Sequence, residues 1–127
     1  MKINGNEIVV YDFKTGKPKL SWDDKDPHNA ISLHKNKYQL IFYKLLIENA
    51  REFSKFKVSR GVLEFLDPYK DTLIDLALDM EEADINRVLK LSEIVFAKIM
   101  NLDFPDTTKY SPDLSGCIEF ENDLLNS

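Results

Sequence analysis

The chain has 127 residues, 43% of them hydrophobic and 31% charged, which is enough for one domain with a buried core and too short to expect two. No apolar run reaches the roughly 18 residues of a membrane span, and the opening Met-Lys-Ile-Asn-Gly-Asn lacks an apolar targeting segment. With Cys117 as the single cysteine there is no disulfide within the chain, so a soluble, cytoplasmic protein is expected.

The first element begins with Lys2 and Ile3 as the end of a strand, followed by Asn4-Gly5-Asn6, a tight hairpin turn because Asn and Gly tolerate positive φ. The strand returning from it is Glu7 to Lys14, whose Ile8, Val9, Val10 and Tyr11 have the composition of a buried strand. Side chains alternate along a strand, so Asp12 and Lys14 fall on one face and Tyr11, Phe13 and Thr15 on the other. An Asp-x-Lys pair on a strand is most often an exposed salt bridge. The same pair also suits metal-assisted phosphodiester hydrolysis, in which the carboxylate takes a hard cation and the ammonium steadies the attacking water or the phosphate charge.

Residues 17–36 are polar and rich in turn formers, including Pro18, Pro27 and the run Trp-Asp-Asp-Lys-Asp, and are expected to form a long surface loop. His28 and His34 fall in it at a spacing that fits neither a helical nor a metal-binding pair, and read either as plain loop residues or as groups that approach a phosphate. A helix is predicted from about Lys37 to Glu52, apolar on most faces and therefore heavily buried. Gln39 and Tyr43, one turn apart in its first turns, are either core neighbours or groups reaching a site. A strand from about Arg60 to Leu66, a turn at 67–71, and a period-two strand from Leu73 to Met80 form an antiparallel hairpin in which Asp75 and Asp79 face solvent. A second helix runs from Glu81 or Glu82 to about Asn101, with Ile85, Val88, Leu89, Ser92, Val95, Phe96 and Ile99 as its buried stripe. Residues 106–115 read as loop, and Ile118 to Leu125 as a short docking helix or a frayed tail.

The net charge of −5 is unevenly spread: residues 1–60 hold 12 Lys and Arg against 7 Asp and Glu, and residues 61–127 hold 5 against 15. The basic half contains Asp12 and Lys14, and Lys17, Lys19, Lys35 and Lys37 are either candidate phosphate contacts or simple solubilising charges.

The segment Val-Val-Tyr-Asp-Phe-Lys-Thr-Gly-Lys-Pro, followed by Tyr-Gln-Leu-Ile-Phe-Tyr-Lys-Leu-Leu on a helix, resembles the PD-(D/E)XK nucleases of the RecB-like group, the nuclease domains of UvrD/RecB-type helicases in recombinational repair. There an acidic-x-Lys motif closes a strand, and a glutamine with a tyrosine four residues on opens the next helix. The resemblance covers roughly residues 2–102. It implies an α+β, restriction-endonuclease-like core, truncated at the N-terminus, with a mixed sheet flanked by helices. It further implies that Asp12 binds Mg²⁺, that Lys14 assists the nucleophilic water, and that Gln39 and Tyr43 shape the site. DNA and an N-terminal helicase or nuclease portion are the implied partners.

Two parts of the family pattern are missing: a leading helix bearing a further site residue, and a strand with a Gly-x-x-Asp metal ligand just upstream of the acidic-x-Lys strand. The chain therefore reads as the C-terminal part of a nuclease domain, inactive alone and prone to self-association through surface the missing elements would cover. Cys117 alone cannot hold the iron–sulfur cluster found in some relatives. Two alternatives stand beside this reading: a nuclease-dead DNA-binding or assembly scaffold of the same fold, and a small acidic interaction module.

Overall fold

The structure, a computed structural model, describes residues 2–127. It is an α+β arrangement of four strands and three helices: β1 (Lys2–Asn4), β2 (Glu7–Lys14), α1 (Pro27–Asn49), β3 (Lys57–Tyr69), β4 (Thr72–Asp79), α2 (Glu82–Met100) and α3 (Leu114–Leu125). The strands form one mixed sheet in the order β1-β2-β3-β4. β1 and β2 are antiparallel across a turn opened by Gly5 at φ 62°, as the Asn-Gly signal predicts. The chain then crosses through α1, so β3 lies parallel to β2, and β4 returns antiparallel to β3.

Three boundaries differ from those expected. The stretch read as a long loop contains the first ten residues of α1. Asp26 caps that helix, accepting hydrogen bonds from the backbone N–H of His28 and Asn29, and Pro27 fits the first turn because no intrahelical acceptor exists for its missing N–H. His34 is therefore a helical residue, and Gln39 and Tyr43 lie in mid-helix rather than in the first turns. β3 runs through Asp67 and Pro68, which read as a turn. Beyond Phe65 it has lost its β2 neighbour and its pairing with β4 shifts, so proline removes no ladder bond there. The reversal is a tight turn at Lys70 and Asp71, at φ 50° and 63°. Finally, α3 begins at Leu114, capped by Asp113, and docks rather than frays.

The core lies between α1 and one face of the sheet. Leu33, Leu40 and Ile41 of α1 meet Leu63, Phe65, Leu76 and Leu78, with Val88 closing one side. A second cluster joins Ile8, Val10 and Val58, and Tyr43 and Met80 pack against both. Each fully buried Leu, Ile or Phe contributes about 2 kcal/mol of apolar transfer free energy. Gly61 sets how near the helix comes: a Cβ there would stand 3.0 Å from Leu40 Cβ, so the absent side chain lets α1 sit directly on β3 beside Val10. Two side chains of α1 also hold the start of β3, Glu48 accepting from the Val58 N–H and Lys44 donating to its carbonyl.

The apolar stripe of α2 departs most from expectation. Val88 and Leu91 are buried, but Leu89, Val95, Phe96 and Ile99 are exposed. Only the first half of α2 contributes to the core, through Ile85 and Val88, while Val95, Phe96, Ile99 and Met100 of the second half are exposed.

Candidate functional site

Asp12 and Lys14 stand at the end of β2, two positions apart and hence on the same face of the sheet. In register they lie beside Leu63 and Phe65, which places them on the face that α1 covers. Lys14 Nζ is 3.0 Å from Asp12 Oδ2 and donates a hydrogen bond of 3.1 Å to Gln39 Oε1. The expected juxtaposition of Asp12, Lys14 and Gln39 therefore exists, built from residues separated by 25 positions in the chain. Tyr43, one turn after Gln39, lines an open hollow of about 340 Å³ with Asp12, Val10, Tyr11, Leu46 and Ile47.

The packing of Leu40 over Gly61 explains how the helix delivers these groups. Gln39 and Tyr43 lie on the same side of Leu40 around α1, so seating Leu40 on β3 lowers both toward the neighbouring strand β2. The two charged side chains are only partly accessible, 16% for Asp12 and 26% for Lys14. Asp12 Oδ2 is buried and makes no hydrogen bond; the nearby ammonium meets it as an ion pair off the hydrogen-bonding direction. A buried carboxylate oxygen short of a partner is unusual and costs stability.

That oxygen also bears on the expected Mg²⁺. A hard divalent cation takes several oxygen ligands and commonly retains waters and substrate phosphates among them. Asp12 offers one protein oxygen, and among the described residues no group of three or more His, Cys, Asp or Glu side chains is arranged to hold a metal. β1, the strand immediately upstream, carries Lys2, Ile3 and Asn4 and adds no carboxylate. The residues present match a share of a metal site and not a complete one.

The four lysines proposed to contact phosphate are not equivalent. Lys35 lies one turn before Gln39 on the same side of α1, and both line a groove between α1 and α2. Lys19 places its ammonium 5.8 Å from the centroid of the Phe65 ring, the residue paired with Lys14 across the sheet. Lys17 is exposed in the connection after β2. Lys37 points away, about 200° around the helix from Gln39, and pairs with Asp84 of α2 at 3.0 Å. It belongs to a different surface.

On that other side of α1 is a polar cluster which sequence reasoning missed. His34 Nε2 lies 2.6 Å from Glu121 Oε2 and must donate, since the carboxylate has no proton to offer. Tyr38 donates to the other oxygen, Oε1. Arg87 Nε donates to the Tyr38 hydroxyl at 3.0 Å and its Nη2 to Asn122 Oδ1 at 2.8 Å, with Glu121 Oε1 3.6 Å away. The Glu121 side chain is 12% exposed. Burial pushes its carboxyl upward, but the hydrogen bonds from His34 and Tyr38 and the charges of His34 and Arg87 outweigh that and hold it below the usual carboxylate range. Burial, with the hydrogen bond to Glu121, pushes the Tyr38 phenol up to about 12. The available sequence signal was the i, i+4 pair His34 and Tyr38, hidden because His34 read as loop.

No protein-family model, curated protein or solved structure matches the chain. What defines its class is the α+β fold, with a four-stranded mixed sheet flanked by three helices, and the carboxylate–ammonium pair that α1 covers. Among the described residues no helix is long and apolar enough to cross a membrane.

Proposed function

We propose that the chain is the C-terminal portion of a Mg²⁺-dependent DNA exonuclease domain of the PD-(D/E)XK, RecB-like type, from a helicase-nuclease acting in DNA repair and recombination. The observation that carries this reading is the three-way contact at the end of β2: Lys14 Nζ lies between Asp12 Oδ2 and Gln39 Oε1, at 3.0 and 3.1 Å. Packing alone does not require a lysine bridging a carboxylate and an amide at a strand end, whereas a phosphodiesterase site uses each group. Asp12 would be one ligand of the cation. Lys14 holds the attacking water or the developing phosphate charge, and Gln39 fixes the ammonium in place. The cation supplies Lewis-acid stabilisation of the phosphate when bound. A site with one carboxylate would hold Mg²⁺ weakly, so cleavage is expected only where further oxygen ligands complete it.

The β2-α1-β3 arrangement supports the same reading: the acidic-x-Lys motif closes a strand, and the glutamine and tyrosine follow on the next helix. Lys19 and Lys35 provide positive charge next to the pair for the DNA backbone. The test is Mg²⁺-dependent cleavage of linear duplex and single-stranded DNA by the product of the complete reading frame. Asp12→Ala and Lys14→Ala should each abolish cleavage while leaving the fold and DNA binding nearly intact, and Gln39→Ala should reduce it by about 10- to 100-fold, as expected for an orienting group. Cleavage retained by the Asp12 or Lys14 variant would place the chemistry elsewhere.

A second reading is a nuclease-dead DNA-binding or assembly scaffold of this fold, in which Asp12 and Lys14 serve as a structural ion pair. Salt-sensitive DNA binding without cleavage by the complete product would select it.

A further inference from the structure

We propose that the uncovered half of α2, with the groove beside it, is the surface through which two copies of this chain pair about a two-fold axis. The groove lies between α1 and α2, encloses about 380 Å³, and has Tyr38 and Phe42 on one wall and Val88, Leu91 and Val95 on the other. Next to it, on the same helix and its continuation, the chain projects Phe96, Ile99, Met100, Leu102 and Phe104, which are between 52% and 77% exposed. Concave and convex apolar surfaces thus sit side by side on one element.

That adjacency chooses the occupant. Apolar knobs far from their hole generate head-to-tail contacts that do not close, whereas a knob and a hole adjoining on one helix satisfy each other when a second copy is turned by 180°. The knobs of each copy then fill the groove of the other, and association stops at two. The area is appropriate as well. With Phe42 at the groove margin, these residues expose on the order of 700 Å², close to the share of one partner in a standard interface and more than a lone domain ordinarily leaves in one apolar patch. The groove is also lined by Lys35 and Gln39, so pairing covers the flank of α1 beside the Asp12 site.

The experiment is sedimentation equilibrium of this chain from the micromolar to the near-millimolar range. A species of about twice 14.8 kDa is expected. Phe96→Asp and Ile99→Asp, at side chains that the single copy leaves exposed, should keep the wild-type circular dichroism and raise the dimer dissociation constant at least about 30-fold, as loss of a central anchor does. Phe13→Asp, on the open sheet face away from α1, should leave the dimer unchanged. A wild-type chain monomeric throughout, open-ended larger assemblies, or a dimer dissolved by Phe13→Asp and untouched by Phe96→Asp and Ile99→Asp would each overturn the proposal.

Discussion

Helix α1 separates two polar clusters that differ in how completely they are satisfied. Toward the sheet, Asp12 keeps a buried oxygen without a hydrogen bond, beside a hollow open to solvent. Toward α2 and α3, Glu121 receives a donor on each oxygen, with Arg87 behind them. A saturated carboxylate fastens elements together, and here it ties three helices. A carboxylate left short of hydrogen bonds contributes less to the fold, the pattern expected where structure yields to function.

Several substitutions would break or sharpen this contrast. The largest effect should come from Gly61→Val, which undermines both clusters at once. The new side chain meets Leu40 at 3.0 Å or closer, lifts α1 from the sheet and lowers stability by about 3 kcal/mol, measured by urea unfolding. An unchanged midpoint would mean that the helix does not depend on that close approach.

Glu121→Ala should come next. It leaves Arg87 and the donors of His34 and Tyr38 without their acceptor and costs about 2 kcal/mol, whereas Asp12→Asn should stay within about 0.5 kcal/mol of wild type because the carboxylate it replaces was poorly satisfied. Equal losses at the two positions would end the comparison.

Smaller effects should appear in the pH dependence of thermal unfolding. The Glu121 carboxyl is held below its ordinary value of 4.5 in the folded chain, so its contribution is present above that pH and is lost as pH falls through the folded value. Glu121→Gln should remove that part of the acid limb. Tyr38 has the opposite sign. With the folded phenol at about 12 and the free one at 10.0, its contribution is complete below pH 10.0 and is lost as pH rises to about 12. Tyr38→Phe should flatten that alkaline limb while leaving the acid limb partly in place through His34.

Local patterns made much of the sheet legible. Alternation placed Asp12 and Lys14 on one face, the Asn-Gly turn joined β1 to β2, and period two identified β4. The same alternation placed Asp75 and Asp79 in solvent, as found. What misled was polar composition over residues 17–36. Pro27 read as a turn former although it opens α1 behind the Asp26 cap, so ten residues of the helix, His34 among them, read as loop. The stripe of α2 was a different error: its 3.6-residue period is real, but periodicity marks an apolar face without saying what covers it.

The sequence by itself determined which side chains share a face, because strand and helix repeats are properties of the local backbone. Only the tertiary structure decided which faces meet. The approach of Leu40 to Gly61 brings Gln39 to Lys14, and the docking of α3 brings Glu121 to His34 across 87 positions. Those contacts depend on how closely helices pack on the sheet and on one another, and no repeat along the chain encodes that distance.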